Sequence, residues 1–373
     1  MRIKSLFRRR ISAGRAFIPE IDGLRFIAIL SVVLFHVNAQ MLRYYPSRFP
    51  TVPSILLDNG DRGVRLFFVI SGFILALPFA RYHFEGGPPL SLKRYFLRRL
   101  TRLEPPYLAS LLILSVLAAI VLHDRLTTVA VHLLATATYC HNLIFGQLST
   151  ISTVAWSLEI EVQFYILVPM MANVFALRSQ FLRRSLLVGI ILISGVLQAI
   201  FPGPMRWQLS IGFYIQFFLV GFLLADIYLG SAVKQKTWAW DAVSTIAWPL
   251  VFLLPKSMVQ YVLPFLILLL YWAAFNGNIV NSVFRNTVIV SIGGACYSIY
   301  LLHFPAIAFA SRIVGHTRTL LFWLFSLILI PAVSAPFFLL IEKPCMNPNW
   351  PLDLVNWIRI SRGTGSLGWQ NEP

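Results

Sequence analysis

Charged residues are scarce in this chain, and acidic residues are the scarcest. Asp, Glu, Lys and Arg make up only 12% of the 373 residues, and 14 acidic residues stand against 31 Lys and Arg. A soluble globular domain carries about 25% charged residues, so the composition excludes that class. The hydrophobic fraction of 58% and the mean hydropathy of +0.74 instead predict an all-α, multi-pass integral membrane protein.

Cysteine is scarce as well. Cys140, Cys296 and Cys345 lie far apart, which excludes a disulfide framework and a cysteine-based metal motif, and we predict no metal. The formal net charge of +17 does not indicate a nucleic-acid partner, because the basic residues fall between apolar runs rather than along one soluble face. This distribution is typical of loops that lie beside membrane lipids on the cytoplasmic side.

Long apolar runs are abundant. A helix needs about 20 apolar residues to cross the hydrocarbon core, and the sequence predicts about ten such helices. The segments proposed for one side hold 21 Lys and Arg, and those proposed for the other side hold 8. The positive-inside rule therefore places both termini in the cytoplasm. The predicted spans are residues 24–42, 63–80, 105–122, 156–177, 185–201, 210–229, 239–255, 259–276, 288–310 and 319–341.

The chain divides by composition into three parts. Residues 1–17 form a basic cytoplasmic segment, residues 18–345 a transmembrane domain, and residues 346–373 a short cytoplasmic tail. One piece of the transmembrane domain is ambiguous. Residues 129–147 are only mildly apolar and include two histidines, so we interpret them as a re-entrant or interfacial helix on the outer side.

Ionisable side chains inside the predicted spans are the first candidates for a site. Arg25 and His36 are eleven residues apart in an otherwise apolar stretch, so they share one helix face and lie about 16 Å apart along the axis. His36, Glu161 and His303 fall in the same outer half of three predicted helices. Such groups either line a water-filled cavity or pair with one another to hold helices together.

The chemistry that these residues could perform is acyl transfer. His36 could remove the proton of an acceptor hydroxyl as a general base. Glu161, if it reached His36, would orient the imidazole and stabilise its cation. Ser157 lies four residues before Glu161 and shares its helix face.

Arginines near the inner end of the third span suggest a donor site. Arg99 and Arg102 are three residues apart on one helix face, and Arg25 is expected to open at the same surface. Guanidinium groups match phosphate oxygens in geometry and charge. We expect them to bind acyl coenzyme A, whose arm could reach His36. The alternative is an ordinary basic loop on the cytoplasmic side.

Several motifs together resemble one family, acyltransferase family 3, whose members are bacterial integral-membrane O-acyltransferases that modify surface glycans and related molecules. The resemblance covers roughly residues 18–345. The motifs, in chain order, are IDGLRFIAILSVVLFH, GVRLFFVISGF, RRLTRLEPPY, WSLEIEVQFYILVP, CYSIYLLHFP and IEKP.

The resemblance implies roles for particular residues. It makes Arg25 and His36 a functional pair, Arg99 and Arg102 a second pair, and Glu161 the glutamate of its motif. One departure stands out: the family usually has an aspartate where this chain has Arg65. We expect this change to mark an altered substrate, for instance an anionic one. The residues assigned to substrate binding are His303, Arg65 and Ser157.

The function predicted is transfer of an acyl group, expected to be acetyl, from acyl coenzyme A (acetyl coenzyme A) to a hydroxyl of a carbohydrate or glycolipid acceptor. The acceptor would be a lipid-linked or exported polysaccharide, and the location the bacterial cytoplasmic (inner) membrane. Two alternatives remain open. One is a transporter of a lipid-linked or anionic sugar, although no internal repeat supports it. The other is a relay that passes acyl groups to a separate partner.

Overall fold

The computed structural model describes residues 17–43, 52–87, 89–121, 126–231, 236–314, 319–347 and 350–351, and within these residues every regular element is helical. The α-helices are α1 Pro19–Leu42, α2 Val52–Asp58, α3 Arg62–Glu85, α4 Leu92–Val121, α5 Leu126–Ala137, α6 His141–Phe145, α7 Ala155–Met171, α8 Gln180–Ile200, α9 Met205–Gln208, α10 Ile211–Gly230, α11 Trp238–Leu253, α12 Leu263–Asn276, α13 Ile279–Phe284, α14 Thr287–Gly294, α15 Cys296–Val314, α16 Thr319–Phe337 and α17 Lys343–Cys345. Two 3₁₀ segments, Ala172–Ala176 and Lys256–Met258, and a π-helical turn, Phe338–Glu342, complete the described elements.

Seven helices in the described part of the chain are long and apolar enough to cross a membrane. This agrees with a multi-pass membrane protein. The count of about ten spans and the side of the termini stay predictions. Most of the predicted segments 1–17 and 346–373 lies outside the described residues. The helices long enough to span lie at 62–85, 92–120, 155–176, 180–200, 205–230, 296–314 and 319–345.

Three predicted spans differ from the helices observed. The segment predicted at 288–310 is two helices, α14 and α15, separated at Ala295. The helices α11 and α12, which correspond to the predicted spans 239–255 and 259–276, have only 16 and 14 residues. At 1.5 Å per residue, such helices are shorter than about 30 Å of hydrocarbon.

The ambiguous segment 129–147 is also broken. The 12-residue helix α5 covers its first part, and the 5-residue helix α6 follows after a turn. Tyr139 in that turn has a positive φ of 56°, which ends α5. The segment is therefore not one continuous span, and its location on the outer side stays a prediction.

The centre of the fold is the contact between α3 and α10, the most extensive contact of any two described helices. A Cβ atom on Gly72 of α3 would overlap the backbone carbonyl oxygen of Phe218 in α10. A Cβ atom on Gly221 would likewise overlap the carbonyl oxygen of Val69. The two glycines thus allow the backbones to approach closely, as small residues commonly do between membrane helices.

Aromatic rings fill the space beside this contact. Phe218 stacks on Phe68 with 4.6 Å between ring centroids and on Phe164 of α7 with 4.0 Å. All three side chains are almost fully buried. Helix α7 is thereby held against both α3 and α10, and this contact determines which of its polar side chains face the interior.

Helix α1 runs through the interior between α3, α14 and α15. Leu24, Ala28, Val32 and Val37 on this helix are almost completely buried. Because neighbouring helices surround α1, its few polar side chains point at protein rather than at lipid. This packing gives Arg25 and His36 their surroundings.

Candidate active site

Two histidines from distant parts of the chain meet in the interior. His36 on α1 and His303 on α15 lie with 3.1 Å between His36 Nδ1 and His303 Nε2, and their ring centroids are 5.0 Å apart. His303 is fully buried, and Phe304 packs edge-on against the His36 ring at 5.4 Å. The sequence predicted that both imidazoles fall in the same outer half of their helices, and the structure brings them into contact.

The hydrogen-bond partners assign the tautomers of this pair. His303 Nδ1 faces two backbone carbonyls, those of Tyr300 at 2.7 Å and Ile299 at 3.1 Å, so it must carry a proton and donate. Its Nε2 is then an acceptor. His36 Nδ1 lies 3.0 Å from the carbonyl of Val32 and donates to His303 Nε2. The lone pair of neutral His36 is consequently on Nε2.

A small cavity, which we call the central cavity, is lined by Tyr300, one helical turn before His303 on α15. Its volume is about 110 Å³. Tyr300 connects it to the histidines, because its carbonyl accepts the hydrogen bond of His303 Nδ1 and its ring lies 5.8 Å from that imidazole. The polar side chains that line the central cavity are Arg25, Ser71, Arg102, Ser157, Glu161, Tyr165, Tyr297, Tyr300 and Glu342.

Hydrogen bonds position two of the lining groups that the sequence singled out. Ser157 Oγ and the Tyr300 hydroxyl form a hydrogen bond of 2.6 Å, and the same hydroxyl donates to the carbonyl of Val154 at 2.8 Å. Ser71 Oγ donates to Glu161 Oε1 at 2.5 Å. Ser157 and Glu161 share a face of α7, as their spacing predicted, and both face the central cavity.

Glu161 and His36 are not paired in the described structure. Counting residues along each predicted helix placed them in the same outer half. In the structure, however, Glu161 accepts from Ser71 and lines the central cavity, while the partner of His36 is His303. The position next to the imidazole that we expected for Glu161 is therefore occupied by a second histidine. Arg25, which lines the same cavity, is within the range of the Glu161 charge.

The predicted arginines lie at a second cavity of about 320 Å³, which we call the arginine mouth. Arg94, Arg98, Arg99 and Arg102 all line it. The guanidinium of Arg99 also lies over the ring of Tyr165, 5.7 Å from its centroid. Arg102 lines both the arginine mouth and the central cavity, so it connects the two.

Arg25 lies away from the arginine mouth, which the other predicted donor arginines line. It forms a salt bridge with Asp22, one turn earlier on α1, and lines the central cavity rather than the arginine mouth. The structure thus separates the predicted donor arginines. Arg99 and Arg102 on α4 line the arginine mouth, and Arg25 on α1 lines only the central cavity. In the described part of the chain, no three His, Cys, Asp or Glu side chains come together as a metal site requires.

Sequence reasoning missed several residues of the central cavity. Ser71 and Tyr165 are ordinary residues of apolar helices, and nothing in their spacing points to a site. Glu342 had a signal, since it is a carboxylate at the end of a long apolar run. It accepts hydrogen bonds from the backbone N–H of Ser298 at 3.0 Å and from Ser298 Oγ at 2.5 Å. The π-helical turn that contains Glu342 is a feature often found at functional sites.

Arg65 lies away from both cavities. Its Nη1 donates to Asp61 Oδ2 at 2.8 Å, one turn earlier at the start of α3. Its guanidinium carbon lies 5.8 Å from the ring centroid of Tyr214 and 5.9 Å from that of Phe217. The structure therefore does not bring Arg65 to the histidine pair directly.

The helices and the buried polar groups define a multi-pass membrane protein with an internal site. Residues 18–341 match the family model described as an acyltransferase domain, and the chain therefore belongs to acyltransferase family 3. This confirms the resemblance that the sequence motifs indicated.

The most informative relatives are acetyltransferases by name. The chain is 23% identical to the peptidoglycan O-acetyltransferase OatA of Listeria monocytogenes over 98% of its own length and 61% of that protein. It is 25% identical to a provisionally named O-acetyltransferase of Staphylococcus aureus (strain COL) over 79% of its own length. The chain spans about half the length of the curated staphylococcal relatives that it matches, 51% in this case. No solved structure matches the chain.

Proposed function

We propose that the chain is a membrane-bound O-acyltransferase. It moves an acyl group, acetyl by analogy with the named relatives, from acyl coenzyme A to a hydroxyl of a carbohydrate acceptor such as a lipid-linked or exported polysaccharide. It acts in the bacterial inner membrane, with the arginine mouth on the cytoplasmic side. The observation that carries this proposal is the sharing of Arg102 by the arginine mouth and the central cavity, together with Tyr300, which lines the central cavity and bonds to the histidine pair through its carbonyl.

The donor site is the arginine mouth. Four arginines at one opening suit a ligand with several phosphate groups, because guanidinium donors bind phosphate oxygens in pairs. Arg102 reaches the central cavity from the same helix, and Arg25 continues the line on α1. From Arg25 to His36 the helix rises about 16 Å, a distance that the extended pantetheine arm of coenzyme A matches. The thioester would then lie next to His36.

The reaction needs two proton transfers, one to His36 and one from it, and the exchange of a carbon–sulfur bond for a carbon–oxygen bond. His36 Nε2 removes the proton of the acceptor hydroxyl while the hydroxyl oxygen bonds to the thioester carbonyl carbon. The carbon–sulfur bond then breaks, and the departing thiolate takes up the acceptor's proton from the imidazolium. His303 fixes the tautomer and orientation of His36 by accepting from its Nδ1–H. Glu161 acts from the central cavity, where its charge faces Arg25.

The test of this mechanism is replacement of the base. His36→Gln, purified in lipid nanodiscs and supplied with labelled acetyl coenzyme A and glycan, should lose at least about 100-fold in transfer rate, since a general base contributes 10²–10⁴-fold. The matched control is His83→Gln at the exposed end of α3, which should keep the wild-type rate. A near-normal rate in His36→Gln would exclude His36 as the base.

The donor site has its own test. Arg102→Ala should weaken acetyl coenzyme A binding by about 1.5–3 kcal/mol, the value of one charge-assisted hydrogen bond. Binding to the wild type should also weaken as salt concentration rises. Calorimetry with coenzyme A measures both effects, and Arg285→Ala, an exposed arginine on another loop, is the control. Equal affinity in Arg102→Ala and the control would mean that the arginines only mark the cytoplasmic side.

A further inference from the structure

Arg65 is a cation in an apolar setting with incomplete pairing. Only 13% of its side chain is exposed, and the rings of Tyr214 and Phe217 lie against the guanidinium. Asp61 contacts only Nη1, while the buried Nε has no hydrogen-bond partner among the described residues. A charged group inside a membrane protein is costly and is retained for a function. The edge formed by Nε and Nη2 is the edge that binds a carboxylate with two parallel hydrogen bonds.

The Arg65–Asp61 salt bridge lies near the part of α1 that carries His36. The turn that begins α3 packs directly on α1, since a Cβ on Gly60 would overlap the carbonyl oxygen of Ser31 and contact Phe35. The charge of Asp61 is close enough to act on His36. Arg65 and Asp61 therefore lie beside the stretch of α1 that ends at the proposed base.

The pair also lies at the end of α3 opposite the donor site. Leu75 and Pro78 on α3 line the arginine mouth. They are ten and thirteen residues beyond Arg65, which corresponds to roughly 15–20 Å along the helix. A second substrate that approached by Arg65 would thus meet the acyl group at His36 from the side opposite to coenzyme A.

We infer that Arg65 is a specificity-determining residue that binds a carboxylate of the acceptor, so that the substrate class is an acidic glycan. The inference rests on the proposed function for the meaning of "acceptor", but binding itself does not require transfer. Asp61 accepts from Nη1, while the buried Nε has no partner among the described residues, so a carboxylate of the ligand would supply its missing acceptor. The half-exposed Asp61 carboxylate, 44% exposed, also repels an acidic ligand and so limits its affinity.

A matched pair of ligands tests the inference. Trigalacturonic acid and its methyl ester share the same sugar chain, but the ester replaces each charged carboxylate by a neutral methyl ester. Binding of each to the full chain in nanodiscs is measured by calorimetry. The wild type should bind the acid at least tenfold more tightly than the ester. Arg65→Gln should bind both equally. Arg206→Gln, which removes an arginine that bonds to Ile144 elsewhere, should keep the preference.

Asp61→Asn distinguishes a binding role from a structural one, because a gain of affinity cannot come from misfolding. This variant should bind the acid three- to tenfold more tightly and bind the ester as the wild type does. Equal binding of acid and ester by the wild type would overturn the inference, as would a preference that persists in Arg65→Gln. In that case Arg65 and Asp61 only stabilise the start of α3. Acid-selective binding without any acyl transfer would support the acidic site and count against the proposed reaction instead.

Discussion

The described residues include two histidine pairs of nearly equal geometry in different surroundings. His36 and His303 lie 3.1 Å apart, and His132 Nδ1 and His141 Nε2 lie 2.9 Å apart. The first pair joins α1 to α15 beside the central cavity. The second joins α5 to the next short helix and packs on Phe145. The distance between two imidazoles therefore does not identify a site. What distinguishes the first pair is its link to the central cavity through Tyr300, which lines that cavity and accepts from His303 through its carbonyl.

Two glutamates on α7 differ in the same way, since one lies at the central cavity and the other at the second histidine pair. Glu161 faces the central cavity and accepts from Ser71. Glu159, two residues earlier, faces the second pair and accepts from the backbone N–H groups of Asn142 at 2.8 Å and Leu143 at 3.2 Å. One helix thus supplies a carboxylate to each region. We expect Glu161 to matter for transfer and Glu159 for stability.

The largest expected effect comes from breaking the first pair. His303→Leu removes the acceptor of the His36 Nδ1–H bond and should slow acyl transfer about 100-fold, within the range for a misaligned general base. His303→Gln offers an amide oxygen to the same N–H and should recover at least tenfold of that loss. The measurement is the transfer rate of each variant at matched protein stability.

His132→Leu is the corresponding change in the second pair and should leave the transfer rate of the folded protein within about threefold of wild type. Similar losses in His303→Leu and His303→Gln would show that His303 only fills space. An equal loss in His132→Leu would mean that the two pairs do not differ in the way described.

The next effect concerns the glutamates. Glu161→Gln should reduce transfer about tenfold without a large loss of stability. Glu159→Gln should leave transfer nearly unchanged but destabilise the protein by about 1–3 kcal/mol, because it weakens a buried acceptor of two N–H groups. Transfer rates and thermal unfolding of both variants measure this split.

A double variant tests whether Glu161 acts on acyl transfer through His36 or independently of it. In the double variant His36→Gln with Glu161→Gln, the second change should cost little after the first, since residues that act as a unit are not additive. Losses that multiply fully would mean that Glu161 serves the cavity independently of His36.

The smallest effect is a pH dependence at the second pair. Burial lowers the pKa of His141, the hydrogen bond to the Gln147 carbonyl opposes this, and His132 lowers it further. The unfolded chain then takes up a proton near pH 6.5 that the folded chain does not. The melting temperature should therefore fall by a few degrees between pH 7.5 and 5.5. His141→Gln should flatten that slope, and an unchanged slope would contradict the assignment.

Positions along helices were predictable from the sequence, but rotations about their axes were only partly so. The shared face of Ser157 and Glu161 followed from their spacing, and the placement of His36 and His303 in the same outer half followed from counting residues. The partner of His36 did not follow. Glu161 turns toward Ser71 because Phe164 on the same helix is fixed by stacking on Phe218, a contact that no single helix reveals.

Breaks in helices were also hard to predict. The segment 288–310 is apolar enough for one span, yet it separates at Ala295 into α14 and α15. A Cβ on Gly293 would overlap the backbone carbonyl of Asp22, so α14 presses against the start of α1 at this place. Hydropathy does not report such an approach, because it is a property of two helices together.

The sharing of Arg102 between the two cavities has a thermodynamic consequence. Arg102 lines both the arginine mouth and the central cavity, so a ligand bound to this residue in one cavity changes the charge that the other cavity presents. Occupancies of the two cavities are then linked, and linkage of binding free energies is reciprocal. Whatever enters the central cavity alters the affinity at the mouth by the same factor by which occupation of the mouth alters affinity at the centre.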